Sequence, residues 1–162
     1  MLYKDTWKRY RRQFKSDRVA GKLSRSASRL LYEPVLHGAS LRTIIITQPL
    51  TCRGRKSNVR CPHDIIIELH SSFLPEPKWY SLHYHRVNHY LIDCPTKDPL
   101  HYEDIDGRDS WGYDEISATR GGLKHEILLH SGAMITIVFS KLSVRESQQA
   151  ANSGTGAGGT RS

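Results

Sequence analysis

The sequence predicts an α+β fold: a mostly antiparallel β-sheet core with a basic N-terminal helix and a disordered C-terminal tail. Three observations lead there. Aromatic residues at helical spacing share one face of a positively charged opening segment. Short β-branched or alternating segments then follow one another in succession instead of alternating with helices. The closing residues are Gly, Ser, Thr, Ala and Gln, with nothing to bury. The predicted boundaries are an arm over 1–38, a core over 39–145 and a tail over 146–162.

Each element has its own signal. Tyr3, Trp7, Tyr10 and Phe14 fall at helical spacing within residues 2–18, and no Pro or Gly interrupts before Gly21. A short second helix is expected around Ser26–Tyr32, ended by Pro34 and Gly38. Leu41–Gln48 is a β-branched strand stopped by Pro49. Cys52–Pro62 is a basic loop. Asp64–His70 contains Ile65-Ile66-Ile67 and reads as a buried strand. Pro75 and Pro77 turn the chain into a long strand over Lys78–Ile92, bent near Asn88. Asp93–Glu115 carries eight acids and reads as a long surface loop. Leu123–His130 and Ala133–Val144 form a hairpin turning at Ser131-Gly132.

Charge is distributed unevenly. The chain has 162 residues and a net charge of +8, and the whole of that excess lies in residues 1–30. The remaining residues balance to zero, so a neutral body carries a basic arm. No apolar run approaches the roughly 20 residues of a membrane-spanning helix, and the basic start lacks the apolar stretch of a secretory signal. Three cysteines and no Asn-x-Ser/Thr site favour a reducing, intracellular setting.

The arm is the leading candidate site. Lys4, Lys8, Arg9, Arg11, Arg12, Lys15 and Arg18 would contact phosphates, with Trp7 and Tyr10 at a lipid headgroup layer or stacked on exposed bases. Alternatively, the aromatic face packs on the protein's own core and the basic face is solvated. Arg53, Arg55, Lys56 and Arg60 would extend the anion-binding face or form a solvated loop. Ser24, Ser26 and Ser28 alternate with Arg25 and Arg29, where phosphorylation would cut the arm's charge. His83 and His85 share one strand face and His89 the same parity, a pattern able to hold a metal. No Cys-x2-Cys pair or neighbouring carboxylate supports it, so neither a metal nor another cofactor is assigned. No Gly-x-Ser-x-Gly, phosphate-binding loop or dinucleotide fingerprint occurs, and the expectation is a non-enzymatic protein. The acidic loop could dock the basic arm of a neighbouring copy.

With Lys4–Lys22 as a basic arm and Glu126–Phe139 as a closing hairpin, the layout resembles the matrix proteins of rhabdoviruses, above all the short ones of plant-infecting members. The resemblance is one of organisation across most of the chain. It implies a flexible basic N-terminus, a core of sheet packed with helices, and a structural protein of the virion. The implied partners are an anionic lipid surface, the viral nucleocapsid or RNA, and further copies of the chain. The implied locations are the virion, the host cytoplasm and inner membrane surface, and the nucleus. The Pro-Pro-x-Tyr budding motif is absent, Tyr32-Glu33-Pro34 being the nearest sequence. Two rivals stand beside it: an RNA-binding viral coat or silencing-suppressor protein, and a cupin-like metalloenzyme using His83, His85 and His89.

Overall fold

Period-two alternation of apolar and polar residues builds most of this structure, a computed structural model that describes residues 19, 21–32, 36–47, 63–71, 77–94 and 108–148. The elements are helix α1 (Arg25–Tyr32) and strands β1 (Ser40–Thr47), β2 (His63–Ser71), β3 (Lys78–Val87), β4 (His89–Asp93), β5 (Trp111–Thr119), β6 (Gly122–Leu129), β7 (Met134–Phe139) and β8 (Lys141–Gln148). They form two four-stranded sheets, ordered β1-β2-β3-β8 and β4-β7-β6-β5, and every strand pair is antiparallel. In β2, Ile65, Ile67 and Leu69 are buried while the residues between them are half-buried. Tyr80, Leu82 and Tyr84 do the same in β3, and Ile135, Ile137 and Phe139 in β7.

The class is therefore all-β, and the expected α+β assignment is corrected. Sheet packs against sheet, and α1 is the single helix whose bounds fall within the described residues. Its eight residues turn Ala27, Leu30 and Leu31 into the common core as a plug, too little to make a helical layer. The predicted basic helix over 2–18 and the tail beyond residue 148 lie outside the described residues. Strand β8 runs through Gln148, past the predicted core boundary at 145. Residues 111–115, read as the end of the acidic loop, belong to β5.

The sheets join at a corner made by two paired strands that change sheet together. The chain passes from β3 to β4 at Asn88 and from β7 to β8 at Ser140. Strand β3 pairs with β8 in one sheet and β4 with β7 in the other. At the bend Asn88 N–H donates to the Val138 carbonyl and Ser140 N–H to the His85 carbonyl, both at 3.0 Å. Arg86 adopts φ 52°, and its N–H donates to Asp64 Oδ1 at 2.9 Å. Far from this corner, β1 and β5 are tied by Leu41 N–H to the Asp109 carbonyl and Trp111 N–H to the Ala39 carbonyl, each at 2.8 Å. The two sheets thus close into a barrel around one core.

One polar network crosses that core. His125 is fully buried. Its Nε2 lies 3.0 Å from Asp114 Oδ2, and because a carboxylate accepts, Nε2 carries the proton. Nδ1 is then the acceptor, and Tyr84 O–H donates to it at 2.9 Å. Trp111 Nε1–H donates to Asp114 Oδ1 at 3.0 Å. Tyr84 on β3 is in this way tied to β6 and β5 of the facing sheet, with every polar atom of the chain of bonds satisfied.

Burial, and then the neighbouring Asp114 carboxylate, push the Tyr84 hydroxyl well above its ordinary pKa of 10.0. The native state keeps the phenol neutral while the unfolded chain ionises it. Its contribution to stability is whole below pH 10 and is lost as pH rises beyond it. Tyr84→Phe should cost about 1–3 kcal/mol at pH 7 by stranding His125 Nδ1. It should also flatten the alkaline fall in urea-unfolding free energy; an equally steep fall in the variant would refute the assignment. At the β5–β6 turn, a Cβ on Gly122 would collide with the Phe139 carbonyl, whereas one on Gly121 meets only Asn88 Nδ2 at 3.6 Å. Urea titration should show Gly122→Ala losing about 3 kcal/mol and Gly121→Ala less than about 0.5.

Candidate functional site

The predicted arm residues Lys4, Trp7, Lys8, Arg9, Tyr10, Arg11, Arg12, Lys15 and Arg18, and the loop residues Arg53, Arg55, Lys56 and Arg60, lie outside the described residues. What is described is the place where the arm joins the barrel. Val19 and Leu23 are buried in the core. Leu23 bridges Leu142 in parallel, Ser24 N–H donates to the Leu142 carbonyl at 3.0 Å, and Leu142 N–H donates to the Lys22 carbonyl at 3.3 Å. The chain just beyond the arm is thus laid along the free edge of β8.

Side chains lock the same seam. Ser24 caps α1 by accepting from Ala27 N–H at 3.1 Å. Ser26 O–H donates to the Val144 carbonyl at 3.0 Å, tying the helix to β8. Ser24 and Ser26, two of the three serines noted as modification sites, therefore build the junction, and a phosphate on Ser26 would remove that tie.

The seam is basic. Residues 21–32 and 141–148 carry five exposed cations, Lys22, Arg25, Arg29, Lys141 and Arg145, against one acid, Glu146. Glu146 is engaged by Lys78 at 2.6 Å. Lys141 and Arg145 stand more than a hundred residues from the arm in sequence. Nothing in the local pattern marks them; the pairing of residues 22–24 with Leu142 brings them beside it.

Next to Arg145 lies the histidine face of β3. His83 and His85 point away from the core on either side of buried Tyr84, with ring centroids 6.3 Å apart. His83 receives a hydrogen bond from or donates one to Ser81 Oγ at 3.0 Å. Burial, then Arg145, then His85 hold its pKa below 6.5. His89 does not join them. The irregular backbone at 86–88 breaks the alternation, and His89 falls in the other sheet. Among the described residues no three His, Cys, Asp or Glu side chains gather as a metal would require. His83 and His85 lie on the outer face of one sheet and His89 in the other, so the described structure does not bring the three together.

His85 does stand between two partners, with Nε2 3.0 Å from Ser143 Oγ and Nδ1 3.5 Å from Asp64 Oδ2. The order Asp-His-Ser has the residue types of a nucleophilic triad. However, His85 and Ser143 sit on the face of the β3–β8 ladder, and Asp64 sits at the register shift of β2, where its Oδ1 accepts from Arg86 N–H. The N–H groups of the β3–β8 ladder lie in the sheet plane and do not aim above its face. Farther along this sheet, Arg42 lies over the Trp79 ring at 5.3 Å, and His70 packs on the same ring at 4.8 Å.

No family model, curated protein or solved structure matches this chain.

The lowered pKa of His83 sets an acid limit. Its neutral form is favoured in the native state, so this stabilisation is present above pH 6.5 and is lost as pH falls from there towards its native pKa. His83→Gln should lose less unfolding free energy than wild type between pH 6.5 and pH 5 (about the span over which a free imidazole charges); parallel pH profiles would refute it.

Proposed function

We propose that this is a non-enzymatic structural protein of viral type, doing matrix-like work: a basic aromatic arm holds it to an anionic surface, and the barrel packs against further copies. The observation that carries this reading is the segregation of charge. The whole net charge of +8 lies in residues 1–30, and the described end of that segment, with its exposed Lys22, Arg25 and Arg29, is fastened to β8, which adds two more exposed cations, Lys141 and Arg145. Each basic residue close to an anionic membrane contributes about 1 kcal/mol, and Trp7 and Tyr10 suit the headgroup layer. Several weakly held arms in a cluster of copies would add through avidity.

A second reading, RNA as the anion, is favoured by one observation. The Arg42–Trp79–His70 stack lies on the outer face of the sheet that also carries Arg145, a setting in which bases can stack and phosphates pair. The matrix reading leads because it uses the arm's full charge and its aromatic residues together.

Flotation with neutral and anionic liposomes separates the two. The full chain should float with anionic vesicles only, and less so at high salt, because exposed charges are screened. A Trp7→Ala, Arg11→Ala, Arg12→Ala variant should stay in the dense fraction. Lys141→Glu with Arg145→Glu should weaken flotation while the arm is intact. Absence of flotation in every condition, together with salt-sensitive binding of single-stranded RNA, would sink the lipid reading in favour of RNA.

A further inference from the structure

The geometry points to a second copy of this chain as the partner of β4: we propose that two molecules pair antiparallel through their β4 edges, about a two-fold axis at Leu91, joining their sheets into one of eight strands. This deepens the reading above, which needs self-association, by naming the surface responsible. Its evidence is independent of the arm.

Four strands stand at sheet edges, and three of them are bonded over part of their length by the chain's own backbone. β1 and β5 are joined at their beginnings, through the bonds between residues 38–41 and 109–111. β8 is bonded at Leu142 by residues 22–24 and at Val144 by Ser26. Among the described residues β4 has only β7 beside it, and its other edge meets no backbone partner. Proteins usually guard such an edge with Lys, Pro or a short, polar sequence. β4 is His-Tyr-Leu-Ile-Asp, every residue is exposed, and Leu91 is 55% exposed. Three large apolar side chains in succession on a bare edge are the features of a surface that pairs.

The choice of partner follows from the order of residues. In an antiparallel pair centred on Leu91, His89 faces Asp93 of the second copy at both ends, Tyr90 faces Ile92 twice, and Leu91 faces itself. An imidazole N–H meets a carboxylate at each end, and the middle is wholly apolar. Moving the register by one residue sets His89 against an apolar side chain and leaves Asp93 unmatched. An antiparallel edge pair is the form a two-fold dimer requires, since one patch must complement itself. A five-residue edge buries less than the roughly 1,000 Å² of a stable interface, so the pair is weak in solution. It gains strength where an anionic surface concentrates the molecules.

Sedimentation velocity on the full chain, from about 5 to about 500 μM, tests the pairing. Wild type should shift from monomer to dimer across that range. His89→Asp sets like charges together and should raise the dimer Kd at least about tenfold. Adding Asp93→Lys restores opposite charges and should return the Kd to near wild type. In a Cys94→Ser background, Leu91→Cys should give a disulfide-linked dimer under mild oxidation that the Cys94→Ser parent does not. Unfolding midpoints of all variants are compared first, so that loss of dimer is not loss of fold. Monomer at every concentration, or a His89→Asp effect that Asp93→Lys does not reverse, overturns the proposal. Flotation without dimerisation would remove the β4 pair and leave the membrane reading; dimerisation without flotation would keep the pair and remove the lipid.

Discussion

Everything distinctive in this structure depends on two strands turning the same corner together. Because β3 passes into β4 while β7, the partner of β4, passes into β8, the hydrogen bonds at Asn88 and Ser140 carry one ladder from the first sheet into the second. Had only one strand crossed, the other would have ended at the bend with its backbone groups unpaired. The crossing leaves β4 and β8 as opposite products of one event. β8 lies along the first sheet, where residues 22–24 bond it at Leu142. β4 lies at the rim of the second, where all five of its residues remain exposed. The basic seam and the bare edge thus have a common origin in backbone geometry.

The core is held in register by a polar device as well as by apolar packing. Hydrophobic contact is tolerant of sliding, whereas the bonds from Tyr84 through His125 to Asp114 and Trp111 are satisfied only when β3 faces β5 and β6 at one offset. A buried network of this kind is costly when broken and adds little over an apolar core when intact. Its contribution is specificity, in a barrel whose strands otherwise offer rows of Ile and Leu to each other.

Strand positions were largely legible in the sequence, for a physical reason. Alternation reports directly on which side chains face the core, so Asp64–His70 and Lys78–Ile92 could be placed, and Asn88 marked the bend. Sheet membership was not legible. Ala133–Val144 reads as one strand, and nothing local at Ser140 shows that β7 and β8 belong to different sheets. The fold class failed through emphasis on the aromatic spacing of residues 2–18, which lie outside the described residues, while the one described helix is a short plug. The histidines failed at the bend: parity counted through Arg86 puts His89 beside His85, but a residue at φ 52° breaks the count. Lys141 and Arg145 were invisible as partners of the arm, because only a long-range backbone pairing brings them there.

The junction at Leu23 and Leu142 also orders events in time. Residues 19–24 lie near the start of the chain, yet their backbone partner is the last of the eight strands. A ribosome adding roughly 5–20 residues per second needs several seconds to make the chain between them. Throughout that interval the basic segment has no strand to be laid against. The β3–β8 ladder, which pairs residues some sixty apart in sequence, forms only when β8 arrives. Residues 22–24 thus take up their place beside Leu142 late in synthesis, and a chain cut short before β8 cannot form the seam.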